Sequence, residues 1–156
     1  MAEQPFKIAE KDGVFHLSGV LNEYADFSTL LNRPEPLQLN MRGVSRLNSI
    51  GIRNLLKFLS DWGSKAFSYD ECPSEFVDQI NMIPALLGPK GQGKVLTLFV
   101  PYECDSCDHD EEVLGNIEDF RSSVQAGLGP PKRRCSKCGE PMTVLTDSFF
   151  VFLARI

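Results

Sequence analysis

Histidine is scarce in this chain of 156 residues, which has only two, and no apolar run approaches the roughly 20 residues that a membrane-spanning helix needs. No Ser/His/Asp trio, glycine-rich phosphate loop or open-site metal motif is visible, so the chain reads as a non-enzyme. General acid-base chemistry would have to rest on carboxylates such as Glu23, Asp26, Asp70 or Glu71, and nothing singles out any of them. The opening Met1-Ala2-Glu3-Gln4 has no basic start, apolar core or small-residue cleavage site, which predicts a cytoplasmic protein. An excess of basic charge is missing too: 16 Lys and Arg against 21 Asp and Glu give a net charge of −5. That balance argues against a protein whose main work is to neutralise nucleic-acid phosphates. Repeats and low-complexity segments are also absent, whereas 42% hydrophobic and 24% charged residues are ordinary for a globular protein.

What the chain does have is cysteine in a pattern. Four of its five cysteines form two Cys-x-x-Cys pairs, Cys104/Cys107 and Cys135/Cys138. Each pair presents two thiolates from one tight turn, and two such turns close a four-sulfur shell that leaves no position for water, which is the structural rather than the catalytic form of a zinc site. The second pair, Cys135-Ser136-Lys137-Cys138-Gly139, looks like a zinc-ribbon knuckle in which Gly139 supplies the left-handed turn. The first, Cys104-Asp105-Ser106-Cys107, lacks that glycine. Disulfides would require an oxidising compartment, and a thioredoxin-like redox pair would require a strand-to-helix setting, so the pattern predicts Zn2+, with iron in the same sulfur cage as the alternative. His109 is a spare candidate ligand, and Cys72, before Pro73, reads as a small buried residue without chemistry.

Periodicity predicts an α/β chain. Phe15, Leu17 and Leu21 alternate in a strand over 14–21, and His16 falls on its more polar face; residues 37–41 form a second strand that Val44 continues past a bend at Gly43. Ile52, Leu55, Leu56, Leu59 and Trp62 then mark a helix over about 50–62, with Ser49 at the N-cap position and Gly63 as the stop. A short strand over 65–70 precedes a helix carrying Phe76, Val77, Ile80 and Ile83, which Pro84 and Gly88 end. The strongest strand signal, 94–102, leads straight to Cys104. Val113, Leu114, Ile117 and Phe120 are at helical spacing, followed by a Gly/Pro-rich linker over 127–131. Residues 142–145 predict a returning ribbon strand, and 149–153 a final apolar segment that is either strand or helix.

The order strand, strand, helix, strand, helix, strand, together with Val44-Ser45-Arg46-Leu47-Asn48-Ser49-Ile50-Gly51-Ile52, resembles the STAS domain of anti-sigma factor antagonists and sulfate-transporter tails. The resemblance implies a STAS-like mixed sheet with helices packed on it over residues 1–102, followed by a zinc-ribbon-like region over 103–156. It also implies that Asn48 stands at the family's acidic position, Ser49 at its phosphoacceptor and Gly51 at its helix-entry glycine. In such domains this loop docks on a protein partner, often a serine kinase that is also an anti-sigma factor, and phosphorylation of the serine breaks the complex. A second role for Ser49 stays open, since a helix cap needs nothing beyond the position it holds. The expected function is therefore a non-catalytic regulatory interaction module. The alternative is a zinc-ribbon nucleic-acid or transcription-associated protein, motivated by Lys132-Arg133-Arg134 beside Cys135.

Overall fold

A computed structural model of the chain describes residues 4–126 and 132–144. It is mixed α/β, with strands β1 (Lys7–Lys11), β2 (Val14–Leu21), β3 (Leu37–Leu47), β4 (Phe67–Asp70) and β5 (Lys94–Val95) side by side in that order. β1 and β2 are antiparallel, turning at Asp12-Gly13 where both residues have positive φ, 53° and 82°. Asp-Gly between two strands is a strong hairpin signal, and it marks the one strand of this sheet that periodicity alone does not find. The other neighbours are parallel, so each connection crosses the sheet: helix α1 (Ser49–Trp62) joins β3 to β4, and helix α2 (Ser74–Met82) lies between β4 and β5.

α1 buries Ile52, Leu55, Leu59 and Trp62 as the spacing predicts, but Leu56 is only half-buried and Phe58 is buried in addition. Trp62 satisfies its indole by donating to the Lys65 carbonyl at 3.0 Å, which lets the largest side chain of the chain sit in the core. Across the sheet, Tyr69 packs its ring 4.9 Å from that of Phe76 on α2 and donates its hydroxyl to Leu86 O at 2.7 Å. Cys72 is fully buried, and burial pushes its thiol well above the usual range, in keeping with a small apolar residue.

Two elements differ from expectation. The 94–102 strand is divided at Leu96: β5 stays in the first sheet, and β6 (Thr97–Glu103) starts a second, antiparallel sheet of order β7-β6-β9-β8. The predicted helix around 113–120 is a strand, β7 (Asp110–Asn116), followed by helix α3 (Ile117–Gln125). β7 pairs with β6 over seven residues; among the described residues β8 (Arg133–Arg134) and β9 (Pro141–Val144) are much shorter, and β9 meets β6 at Tyr102↔Val144 and Glu103↔Thr143. The two sheets share a single buried cluster and are stitched by Cys72, which bridges to Leu98 and exchanges backbone bonds with Thr97 and Phe99. The predicted linker over 127–131 and apolar segment over 149–153 lie outside the described residues.

Candidate metal centre and helix-start surface

β6 delivers Cys104 and Cys107 on the turn before β7, and the turn between β8 and β9 delivers Cys135 and Cys138. The two turns are built alike. Cys104 N donates to His109 O (2.9 Å) and Asp108 N to Cys104 O (2.9 Å); Cys135 N donates to Glu140 O (2.8 Å) and Gly139 N to Cys135 O (2.9 Å). Gly139 takes φ of 79°, and Asp108 takes φ of 58° at the matching place, so aspartate performs the left-handed turn where the first pair has no glycine.

All four sulfurs lie within 4.8 Å of one another, with Cys104 Sγ to Cys138 Sγ at 3.4 Å and Cys107 Sγ to Cys135 Sγ at 3.7 Å. A tetrahedral ion with metal–sulfur bonds of about 2.3 Å separates its ligands by about 3.8 Å, so the four thiols fit a metal ion. The fit is also chemical. Burial acts to raise the Cys135 thiol, but the amides of Cys138 and Lys137 and the Cys107 and Cys138 thiols outweigh it and bring it to about 7. Cys107 is pushed up to about 12, chiefly by burial. A metal ion binds these groups as thiolates, so its uptake would release their protons.

One residue that sequence reasoning passed over sits against both turns. Glu111 on β7 accepts from Ser136 N (3.1 Å), from the Ser136 hydroxyl and from Arg133 Nε (3.1 Å) and Nη2 (2.8 Å), and its Oε1 lies 3.1 Å from His109 Nε2. These bonds, those from Ser136 and Arg133 foremost, lower its carboxyl to about 2. Because the folded value lies below the ordinary one, the interaction favours the folded state above about pH 4.3 and is lost as the pH falls toward that lower value. His109 is thereby directed to a carboxylate and is not among the four grouped ligands. Of the three basic residues before Cys135, Arg133 is engaged by Glu111 and Arg134 donates to Gly139 O at 3.1 Å.

The second surface lies where β3 enters α1. Asn48, not Ser49, is the N-cap: its backbone is extended (φ −131°, ψ 172°), and its side chain accepts from Gly51 N at 2.9 Å. A cap of this kind contributes about 1 kcal/mol. Ser49 is the first helical residue and is exposed. Gly51 is buried against the end of β2, where a Cβ would meet the Leu21 carbonyl and lie 2.7 Å from Asn22 N. The loop after β2 is tied to this helix start: Asn48 Nδ2 donates to Glu23 at 3.4 Å, and Asn54 Nδ2 donates to Glu23 O (3.3 Å) and Ala25 O (3.2 Å). Tyr24, in the loop after β2, and Ile50, in the first turn of α1, are 81% and 45% exposed.

The carboxylates considered for acid-base chemistry are each engaged: Glu23 with Asn48, Asp26 with the Ser28 amide at 2.9 Å, Asp70 with Thr97, and Glu71 with Asn40 at 2.8 Å and Arg42 at 3.4 Å. Among the described residues no helix is long and apolar enough to cross a membrane. No family model, curated protein or solved structure matches the chain.

Proposed function

We propose that this protein is a non-catalytic, cytoplasmic interaction module of the STAS type, whose loop at Asn48, Ser49 and Gly51 docks on a protein partner, and whose four cysteines hold a structural Zn2+ in a ribbon-like appendage. The observation that carries the docking reading is the division of labour at the helix start. Asn48 supplies the cap, so the exposed Ser49 hydroxyl is not needed to hold α1 together. Ile50 follows it in the chain, and Tyr24 lies in the loop tied to this helix start through Glu23 and Ala25; both are large side chains left in water. The fold is a mixed α/β sheet with helices, within which a STAS-type reading is the proposal made from the sequence around Asn48 and Ser49.

A phosphate on Ser49 adds about −1.5 to −2 charges at a helix N-terminus, where free amides and the helix dipole tolerate it. The fold survives while the docking surface changes sign. The partner expected is a serine kinase that reads and modifies the same loop. Affinity capture from native lysate with wild type, Ser49→Ala and Ser49→Asp, with phosphosite mapping of the bait, tests this. A kinase retained by wild type and Ser49→Ala, reduced at least tenfold by Ser49→Asp, and phosphate found at Ser49 are the expected results. The same proteins on all three baits, with Ser49 never modified, would refute the switch.

A further inference from the structure

We propose that Glu111 is the positioning residue of the metal centre: its carboxylate holds the two cysteine turns in register before a metal arrives and slows release once it is bound. The assignment rests on the metal reading above.

The use of such a residue follows from how short the described ladders beside the second turn are. Cys107 and Cys135 are 28 residues apart in sequence. Among the described residues β8 has two residues, β9 has four and meets β6 over two residue pairs, and Cys135 and Met142 are the side chains this segment buries in the core. A metal ion that had to gather the two turns from a loose chain would spend much of its binding energy on closing that loop. Glu111 removes part of this cost. Oε1 accepts from the amide and hydroxyl of Ser136, the residue after Cys135, and Oε2 accepts two bonds from Arg133, two residues before it. On its own side Oε1 meets His109, two residues after Cys107. One half-buried carboxylate thus touches both turns and no sulfur.

The sign of the effect separates positioning from simple charge. Zinc with four thiolates carries a net charge of −2, so a neighbouring carboxylate repels the loaded centre, and electrostatics alone would make Glu111→Gln bind metal more tightly. Positioning predicts the reverse. Loss of a residue that orients ligands from outside the coordination shell typically weakens metal binding about 10- to 100-fold. Glu112 is the control, since it is the next carboxylate on the same strand but is turned to the opposite face, where it accepts from Ser74 Oγ at 2.6 Å.

The test is a Zn2+ competition titration against a chromophoric chelator on the full chain, with Co2+ absorption as the report of a four-sulfur tetrahedral shell. Glu111→Gln is expected to bind Zn2+ about 10- to 100-fold more weakly and release it correspondingly faster, while its Co2+ spectrum stays that of wild type. Glu112→Gln should stay within about twofold of wild type, and Glu111→Asp should recover part of the loss. Should Glu111→Ala fail to fold, Glu111→Gln, which keeps the size and an acceptor oxygen, decides alone. Glu111→Gln binding as tightly as wild type, or more tightly, overturns the assignment and leaves the metal centre standing. A wild-type chain that takes up neither Zn2+ nor Co2+ overturns both.

Discussion

Cys135→Ser is expected to strip the chain of its metal and to unfold the segment carrying β8, β9 and the second cysteine turn, while the five-stranded sheet persists. A structural zinc ion supplies roughly 10 to 16 kcal/mol of apparent folding free energy in zinc-finger peptides at neutral pH, and loss of one of four thiolates forfeits much of that. Among the described residues its strands are two and four residues long, and its links to the rest are a two-pair ladder, the Glu111 contacts and the buried side chains of Cys135 and Met142. β6 is more firmly held: it pairs with β7 over seven residues and puts Leu98, Val100 and Tyr102 in the common core, so it should remain with the first sheet. Hydrogen exchange should therefore show amide protection lost over 132–144 and kept in β2, β3 and α1. Strong chelation of wild type should reproduce the pattern. Cys72→Ser should keep the metal, because that thiol is buried in the core away from the cluster. Full protection over 132–144 in Cys135→Ser would contradict the account.

Gly51→Val carries the second large effect. Glycine inside a helix ordinarily costs about 1 kcal/mol relative to alanine, so filling such a position normally stabilises. Here the sign reverses. A Cβ at Gly51 would run into the Leu21 carbonyl and the Asn22 amide, and these are backbone atoms that cannot rotate away. α1 must then lift from the end of β2, which also disturbs the contact of Leu55 and Ile52 with the core. Overpacking of this kind costs typically 1–3 kcal/mol, and the backbone obstacle places Gly51→Val at about 3 kcal/mol. Urea unfolding followed by tryptophan fluorescence measures it through Trp62 at the far end of the same helix. Ser49→Ala, which removes no cap bond, should leave the midpoint nearly unchanged. A loss below about 1 kcal/mol in Gly51→Val would mean that the helix does not rest on β2 as described.

The parts of this structure that sequence reveals are those set by local rules. Alternation placed Phe15 and Leu17 inside, three-and-four spacing found the buried face of α1, and the paired Cys-x-x-Cys turns named the four residues that cluster. The parts it hides are decided by distant partners. Val113, Leu114, Ile117 and Phe120 fit a helical period by coincidence, because a strand ends and a helix begins among them; Val113 and Leu114 face opposite ways across the sheet. Gly115, whose missing side chain leaves room for the Phe120 ring, is the local trace of that turn. Asn48 and Ser49 are both good caps, and only the extended backbone at Asn48 decides between them. Glu111 lies in an acidic run from Asp108 to Glu112 that looks solvated, and its importance comes from Arg133 and Ser136, which are 22 and 25 residues away in sequence.

The metal centre is tested most directly by elemental analysis and X-ray absorption on the chain purified without added metal or chelator. The account predicts about one zinc ion per chain, with a first shell of sulfur alone at about 2.3 Å. A chain that carries no metal, or zinc bound through oxygen or nitrogen with the cysteines paired in disulfides, would contradict it.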